Sequence, residues 1–282
     1  MVTRVQCANE AELSQFLGSN TRPLRVRIGK SGHTDDELHY TAEGVIEHSD
    51  VDQVVVVHSG TTFAELKREL AKHGQVLPFV EAVKRGHRVR ADKSSIGQVA
   101  AMGIPHPGEG LVGGFRDWVL GLTVVLADGT VVKCGSKAVK SVAGYDVQKL
   151  FLGARHTLGV ITQFTFKTYP AASFDRLRFD WTYGEGAGPE EDVWIQRTHR
   201  SDFAEAVQAA GASLSVADRG SSTLWCYLHG GPQKRFAGDW VLRPNVVDSP
   251  EAPNDDAKAV MSHIKNVLDP EGRLNPGGLG FL

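Results

Sequence analysis

Residues 140–170 read K-S-V-A-G-Y-D-V-Q-K-L-F-L-G-A-R-H-T-L-G-V-I-T-Q-F-T-F-K-T-Y-P, and this stretch decides the fold. Its pattern predicts a short helix over Val147 to Leu152 and a strand over Val160 to Lys167. Glycine recurs where the backbone needs a positive φ or must approach another group closely. Three glycines punctuate the stretch: Gly144, Gly153 and Gly159. A strand that starts from such a turn lets a flat, extended ligand lie against the main chain.

The sequence around this stretch predicts further helices and strands in mixed order. Asn9-x-x-Glu12 and Thr62-x-x-Glu65 have the spacing of helix N-terminal capping motifs, and Val54 to His58 is typical of a buried strand. Leu122 to Cys134 indicates a hairpin, for which Asp128-Gly129 predicts a type I′ turn. Strict alternation of strand and helix is absent, which favours an α+β fold over a doubly wound one.

The last predicted helix runs from Ala257 to Leu268 and leads into L-D-P-E-G-R-L-N-P-G. Its spacing places four apolar residues on one face: Val260, Ile264, Val267 and Leu268. Composition shifts near 183–189 and 245–256 predict three parts. These are a domain over 1–172, a small cap-like domain over 173–256, and a C-terminal helix and tail over 257–282 that packs back on the first domain.

The composition excludes several classes of protein. The chain has 282 residues, of which 41% are hydrophobic and 23% charged, and its net charge is −2. A nucleic-acid-binding protein usually has a basic face, so this charge argues against that class. No apolar run approaches the ~20 residues of a membrane span. The N-terminus lacks the apolar core of a secretory signal, so we expect a cytoplasmic protein.

The cysteines and histidines offer no metal site. Cys7, Cys134 and Cys226 are far apart and form no C-x-x-C motif, so we expect reduced thiols and no iron–sulfur cluster or zinc site in this chain. The spacing of the other residues identifies no catalytic acid or base. A structural role is the more frequent one for a histidine such as His106 or His156.

The loop Gly29-Lys30-Ser31 suggests phosphate binding, although it is not a P-loop. A P-loop needs a glycine where Leu24 stands, and the residues after Gly32 are typical of a turn instead of a helix. Small residues there expose backbone N–H groups, and such a loop can hold a diphosphate. Cationic side chains in and before the loop fit either that role or an ordinary solvated turn: Arg25, Arg27 and Lys30.

Several motifs in fixed order resemble the FAD-binding domain of the vanillyl-alcohol-oxidase, or PCMH, type of flavoprotein. L-R-V-R-I-G-K-S-G (24–32) is similar to the family's pyrophosphate loop, and S-S-I-G-Q-V-A-A-M-G (94–103) to its A-T-x-G-G segment. F-R-D-W-V-L-G-L-T-V-V-L-A-D-G-T-V-V (115–132), V-A-G-Y-D-V-Q-K-L-F-L-G (142–153) and the C-terminal L-D-P-E-G-R-L-N-P-G also match. Within the family, the chain most resembles the FAD-binding subunits of glycolate oxidases.

The resemblance implies a two-subdomain PCMH-type FAD-binding domain followed by a small, truncated α+β cap domain. It also implies a set of cofactor-binding residues: Ile28, Gly29, Lys30, Ser31, Gly32, Ser95, Ile96, Gly97, Gln98, Gly103, Arg116, Gly159, Val160 and Ile161. By the same resemblance, the chain would take part in oxidising a small 2-hydroxy acid. It would work with a larger flavoprotein subunit and an iron–sulfur subunit, which could hold it at the periphery of a membrane.

Four departures from the family pattern lie where FAD would bind. Ile28 and Gln98 replace loop glycines, and His156 stands where a glycine is usual. Pro105-His106-Pro107-Gly108-Glu109 replaces a loop with two arginines. A second hypothesis is therefore a flavin-free scaffold that keeps the fold and serves the assembly or regulation of an oxidase complex.

Overall fold

The structure is a computed structural model. It describes residues 5–29, 37–78, 94–103, 106, 108–137, 145–178, 180–183, 192–211, 214–228, 240–242, 247–248 and 254–278. Within these ranges the chain forms three principal β-sheets with short helices between and around them.

The N-terminal sheet is parallel and has three strands in the order β1-β3-β2: β1 (Val5–Cys7), β2 (Arg25–Ile28) and β3 (Glu37–Tyr40). Helix α1 (Glu10–Ser19) follows β1 and buries Leu13 and Leu17. Asn9 Oδ1 accepts a hydrogen bond from Glu12 N at 2.9 Å, and Glu12 Oε2 accepts one from Ala8 N at 2.7 Å. The helix start predicted from Asn9-x-x-Glu12 is therefore confirmed.

The central sheet is antiparallel, with the strand order β4-β5-β9-β7-β8. Its strands are β4 (Val45–Ser49), β5 (Val54–His58), β7 (Val119–Val125), β8 (Val131–Gly135) and β9 (Val160–Lys167). The predicted strands at Val54 and Val160 have the observed bounds. Phe164 and Phe166 of β9 lie stacked at 5.3 Å, and the Phe115 ring meets both edge-on at 6.0 and 5.4 Å. These rings lie in the main hydrophobic core.

The turn of the β7–β8 hairpin corrects the predicted type I′ turn at Asp128-Gly129. Gly129 N donates to Leu126 O at 3.0 Å, and of the residues in this fully described turn only Gly129 has a positive φ, of 85°. This is the three-residue loop in which a type I turn precedes a glycine bulge. Two contacts favour it: the Asp128 carboxylate accepts from Thr130 N at 2.8 Å, and Ser14 Oγ of α1 donates to Gly129 O at 2.6 Å.

In the described part of the first 175 residues, six further short helices and one two-stranded ribbon accompany these sheets. The helices are α2 (Phe63–Ala71), α3 (Ile96–Met102), α4 (Glu109–Val112), α5 (Phe115–Trp118), α6 (Gln148–Phe151) and α7 (Ala171–Phe174). Strand β6 (Gln75–Val76) pairs with β10 (Tyr169–Pro170). Helix α2 begins with the predicted capping box, since Thr62 Oγ1 accepts from Glu65 N and the Glu65 carboxylate accepts from Thr62 N.

The third sheet is antiparallel and follows the order β11-β13-β14-β12-β15-β16. Its strands are β11 (Trp181–Tyr183), β12 (Asp192–Arg197), β13 (Leu214–Asp218), β14 (Thr223–Leu228), β15 (Trp240–Leu242) and β16 (Val247–Asp248). Helix α8 (Phe203–Ala210) covers one face, where Phe203 packs with Ala217 and Leu224.

Helix α9 (Asp255–Leu268) starts two residues before the predicted position, with Asn254 as its N-cap. The prediction of its apolar face was partly wrong, because Val260 and Val267 are 60% and 66% exposed. Ile264 and Leu268 do pack against the main core. Between them Lys265 is buried, because its ammonium group donates to three oxygen atoms of the protein.

Two cysteines of the described part, Cys7 and Cys134, are free and buried. Burial, with a smaller contribution from Glu12, raises the pKa of the Cys7 thiol to about 11. Among the described residues, no helix combines the length and the apolar character needed to cross a membrane.

Candidate functional site

The end of β2 lies against the start of helix α3. Ser95 Oγ donates a hydrogen bond to Ile28 O at 2.8 Å inside the protein, and it also accepts from Gln98 N at 3.2 Å as the N-cap of α3. Gly29 has φ 97°, and a Cβ built on it would lie 3.2 Å from Ser95 Cβ. The first two segments predicted to bind the cofactor, around Gly29 and around Ser95, are therefore in direct contact.

Gly97 closes this junction from the side of strand β5. A Cβ on Gly97 would lie 2.7 Å from Ile28 Cγ2 and 2.9 Å from Ser59 Cβ, which leaves no room for a side chain. Gly97 N donates to Ser59 O, and Ile96 N donates to Thr61 O, both at 2.8 Å. Ile28 itself takes strand geometry in β2, and the positive φ falls on Gly29. The departure from glycine at Ile28 is thus accommodated without backbone strain at that residue.

The other end of α3 meets the third predicted bend. Gly103 ends the helix with φ 63°, and a Cβ on it would lie 3.0 Å from Gly153 Cα. Gly153 N donates to Ala100 O, and Arg155 N donates to Ala101 O, both at 2.8 Å. Helix α3 therefore joins the bend at Ile28 and Gly29 to the bend that begins at Gly153. We call this arrangement the α3 junction.

The remaining predicted site residues differ in where they lie. Lys30, Ser31 and Gly32 fall outside the described residues. Gln98 is half-buried on α3. Arg116 is exposed on α5, and its guanidinium donates to Lys149 O of α6 at 3.3 Å.

The segment Gly159 to Ile161 lies against strand β7, with which Val160 and Ile161 pair. A Cβ on Gly159 would lie 2.6 Å from Val124 Cγ1, so this glycine allows two chain segments to approach closely. Val160 and Ile161 are fully buried in the two hydrophobic cores. The Val160 and Ile161 side chains are therefore not available to a ligand, and the part that the main chain of this segment takes in the site stays a prediction.

Two buried hydroxyl groups lack hydrogen-bond partners within the described part of the chain: Ser59 Oγ, beside the α3 junction, and Tyr40 OH, in the core beneath the N-terminal sheet. Ser59 contacts the Gly97 position, and Tyr40 O accepts from Gly29 N at 2.9 Å. Burial, together with the charge of Glu10, raises the pKa of the Tyr40 phenol, which therefore stays a neutral donor. A buried hydroxyl without a partner costs roughly 1–3 kcal/mol. The Ser59 hydroxyl fits a ligand rich in oxygen acceptors, as FAD is in its ribityl chain and diphosphate.

Sequence reasoning missed both Ser59 and Tyr40. Ser59 directly precedes Gly60-Thr61, a pair that marks the start of the α2 unit, so its position was a usable signal. Tyr40 ends β3, and its proximity to Gly29 follows only from the pairing of β2 with β3. No local pattern in the sequence gives that register.

His106 and His156 are both buried histidines. His106 is buried, with Nε2 3.0 Å from Gly113 O and its ring 4.9 Å from the ring of Trp118. His156 is buried and has φ 57°. Burial lowers its pKa to about 4, and the nearby Gly159 main chain opposes this only weakly, so the ring is neutral at pH 7. Among the described residues, no three His, Cys, Asp or Glu side chains are grouped to hold a metal ion.

The loop after α3 connects the junction to the third sheet. Asp218, which ends β13, is buried, and its carboxylate accepts from Gly108 N at 3.2 Å and from Ser221 Oγ at 2.7 Å. A Cβ on Gly110 would lie 2.2 Å from the carbonyl carbon of Gly220. The loop in which the family has two arginines therefore packs here against the β13–β14 turn.

Comparison with known proteins supports the predicted family of the N-terminal half. Residues 4–135 match the family described as FAD binding domain. The match confirms the resemblance to FAD-binding flavoproteins and the α+β fold of that type over these residues, and it supports FAD as the cofactor.

The curated relatives include the glycolate oxidase subunit GlcE of Escherichia coli (strain K12). It is 28% identical over 153 residues, which are 54% of this chain and 41% of that protein. The glycolate oxidase subunit GlcD of Bacillus subtilis (strain 168) is 49% identical over 55 residues, 20% of this chain and 12% of that protein. The mitochondrial cytochrome D-lactate dehydrogenase of Arabidopsis thaliana is 36% identical over 116 residues, 41% of this chain and 19% of that protein. The matched stretch thus spans less than half of each relative.

Among solved structures, an alkyldihydroxyacetonephosphate synthase matches 73% of this chain and 36% of its own chain. The TM-score is 0.48 and the sequence identity 13%.

Proposed function

We propose that the chain binds FAD at the α3 junction and works as a subunit of an FAD-linked oxidoreductase that oxidises a small 2-hydroxy acid. The observation that carries the proposal is the junction itself. The glycine-bearing segments at Gly29, Gly97 and Gly153 come together along one seven-residue helix, and the buried Ser59 hydroxyl beside it has no partner within the described part. The relatives named as glycolate oxidase subunits and as a D-lactate dehydrogenase support the class of substrate.

The residues proposed to hold FAD fall into three groups. The bend from Ile28 to Gly32 would bind the diphosphate through backbone N–H groups, with Lys30 adding positive charge. Ser95 to Gln98 and Gly103 would border the flavin side, and the main chain from Gly159 to Ile161 would flank it. The Arg116 guanidinium would bind a phosphate of FAD if the cofactor extends to α5.

FAD, when bound, accepts the electrons that leave the substrate, and the protein supplies binding, orientation and electrostatics. The glycines let backbone N–H groups come close to the cofactor, because no Cβ intervenes. The Ser59 hydroxyl would donate one hydrogen bond to it. Residues 173–256 would form a small cap on the substrate side, and residues 257–282 would pack back on the FAD domain, which spans residues 1–172.

We also propose that the chain acts with partners. The name of the Escherichia coli relative, a subunit, supports an assembly. A larger flavoprotein subunit would accept the electrons or share the substrate site, and an iron–sulfur subunit would pass them on. This complex would lie in the cytoplasm or at the membrane periphery.

The second candidate is a flavin-free scaffold of such a complex, and one observation favours it. Ile28 stands where the family pattern has a loop glycine, and its side chain fills the space against Gly97. In that case the partner subunits alone would carry flavin.

An absorbance spectrum separates the two candidates. After incubation with FAD and gel filtration, we expect bands near ~370 and ~450 nm, as for any oxidised flavin. Anaerobic addition of glycolate or D-lactate in the presence of the partner subunits should bleach the longer-wavelength band. Malonate, which has no hydroxyl group to oxidise, is the control. A colourless protein whose melting temperature FAD does not raise would support the scaffold and contradict the proposal.

A further inference from the structure

The segment from Lys265 to Gly278, which we call the C-terminal strap, lies along strand β2. Leu24 N donates to Arg273 O at 2.8 Å, and Asn275 N donates to Leu24 O at 3.0 Å. Leu274 is fully buried in the core beneath the N-terminal sheet. The strap therefore holds the residue that precedes β2, four residues before Ile28, where the proposed cofactor site begins.

The same strap holds the bend that follows Gly153. Asn275 Nδ2 donates to Arg155 O at 2.5 Å, Arg155 Nη1 donates to Gly278 O at 2.9 Å, and Lys265 Nζ donates to Thr157 O at 2.6 Å. Arg155 and His156 have φ of 50° and 57°. Residues other than glycine hold this conformation at a cost, and they keep it only where their surroundings fix it. Here the strap is part of what fixes them.

Asn275 links both sides through one side chain. Its Oδ1 accepts from Val26 N of β2 at 2.7 Å, while its Nδ2 donates to Arg155 O. These partners settle the orientation of the amide, since one offers a proton and the other a lone pair. Asn275 itself has φ 44°, a conformation that asparagine tolerates better than most residues.

A buried ion pair anchors the strap close to Asn275. Lys265 Nζ lies 2.5 Å from Asp269 Oδ2, and both side chains are buried. The Asp269 carboxylate also accepts from Leu274 N at 2.8 Å and from Arg273 N at 3.0 Å. The loop that presents the Asn275 amide is therefore rigidly held.

We propose that Asn275 is a positioning residue for the cofactor site, because it sets the separation between the end of β2 and the Arg155 bend. A site held in its binding geometry avoids the cost of ordering when the ligand arrives. FAD affinity therefore depends on an amide that does not touch FAD. This inference rests on the proposed function.

Two substitutions test the two halves of the link. Asn275→Gly removes the amide and accepts the positive φ without strain. Asn275→Asp keeps an oxygen acceptor for Val26 N but replaces the donor to Arg155 O with a second acceptor. The control is Asn266→Asp, an equal chemical change at an exposed position of α9. FAD affinity is measured by fluorescence titration, and backbone exchange over residues 153–158 by hydrogen–deuterium exchange without FAD.

We expect both Asn275 variants to bind FAD about tenfold more weakly than the wild type, the scale of one hydrogen bond. Exchange over residues 153–158 should be faster in both variants, and Asn266→Asp should change neither quantity. If Asn275→Asp keeps the wild-type affinity and exchange, the link to Arg155 has no positioning role and the inference is wrong, while the proposed function stands. If the wild type itself takes up no FAD, the proposed function fails first and the inference fails with it.

Discussion

Gly97 has no room for a Cβ, since the nearest atoms on two sides belong to Ile28 and Ser59. We expect Gly97→Ala to push α3 away from β2 and to lower the free energy of unfolding by about 1–3 kcal/mol, as overpacking does. FAD affinity should fall in parallel. The measurement is urea unfolding of the protein without FAD, followed by FAD titration.

Gly18 provides the matched control for this change. It lies in α1 without a positive φ, and a Cβ there would meet Asp128 O at an ordinary 3.4 Å. Gly18→Ala should leave stability unchanged or raise it by up to about 1 kcal/mol, because glycine is costly inside a helix. Equal losses in the two variants would contradict the close-packed α3 junction.

His156 gives a pH dependence of known sign. Its pKa is lowered from 6.5 to about 4 in the folded protein by burial. Between these values the unfolded chain binds a proton that the folded protein does not. This histidine therefore makes the free energy of unfolding fall as the pH drops from about 6.5 to about 4, by up to roughly 1.4 kcal/mol per pH unit.

The test compares the slope of that free energy against pH in three proteins. His156→Asn removes the titration and suits a positive φ, so its slope should be smaller than that of the wild type by up to one proton. His263→Asn, at an exposed position of α9, should keep the wild-type slope. A His156→Asn slope equal to that of the wild type would show that the ring is not buried and neutral.

At the scale of single residues, the sequence predicted which positions matter better than what they contact. The glycines at 29, 97 and 103 do lie at close approaches, and Gly153 has a positive φ of 79°. Their partners across the junction, such as Ser59 and Ile28, are distant in sequence. No periodicity reports such pairings, so the place of the Tyr40 main chain at Gly29 could not be foreseen, whereas Ser59 is marked by the Gly60-Thr61 pair that follows it.

Helix α9 depends on a buried lysine. Lys265→Met should lower the free energy of unfolding by about 3–5 kcal/mol, because it leaves the Asp269 carboxylate buried without its counter-ion. Lys258→Met removes an exposed pair with Asp255 on the same helix and should cost about 0–1 kcal/mol. Thermal or urea unfolding measures both. A loss at Lys265 as small as that at Lys258 would mean that the pair is not buried.

Elements with a strong local signal were predicted closely. The start of α1, the capping box of α2 and the bounds of β9 follow from short motifs and from alternation along the strand. The β7–β8 turn and the buried face of α9 were wrong in part. Asp128 is held by Thr130, and Gly129 by Ser14 of a helix more than 100 residues away. Lys265 is buried because it meets Thr157 and Leu274, which a helical wheel does not show.

At the scale of the whole molecule, the two halves of the chain differ in how far the sequence predicts them. Motifs in fixed order predict the FAD-binding type of fold from the sequence alone, and the family match agrees with them. The third sheet has no comparable motif. Its contact with the first part of the chain, the hydrogen bond from Gly108 N to the Asp218 carboxylate, is not signalled by any local pattern. The residues on the substrate side of the proposed site, which this sheet would cover, are therefore not marked by any sequence motif.

The binding of FAD should also stabilise the whole protein. FAD at one hundred times its dissociation constant should raise the free energy of unfolding by about 2.7 kcal/mol, provided that the unfolded chain does not bind it. Thermal unfolding at increasing FAD concentration measures this effect, and riboflavin, which lacks the diphosphate and adenosine, is the matched control. Equal shifts with the two ligands would contradict a site that holds the diphosphate.

Hydrogen–deuterium exchange with and without FAD tests the central claim, that three bends around α3 form one cofactor site. We expect FAD to slow exchange together at residues 28–29, 59–61, 95–103 and 153–157, which meet at the α3 junction. Protection that falls elsewhere while these segments exchange at unchanged rates would contradict the account, even in a protein that binds FAD.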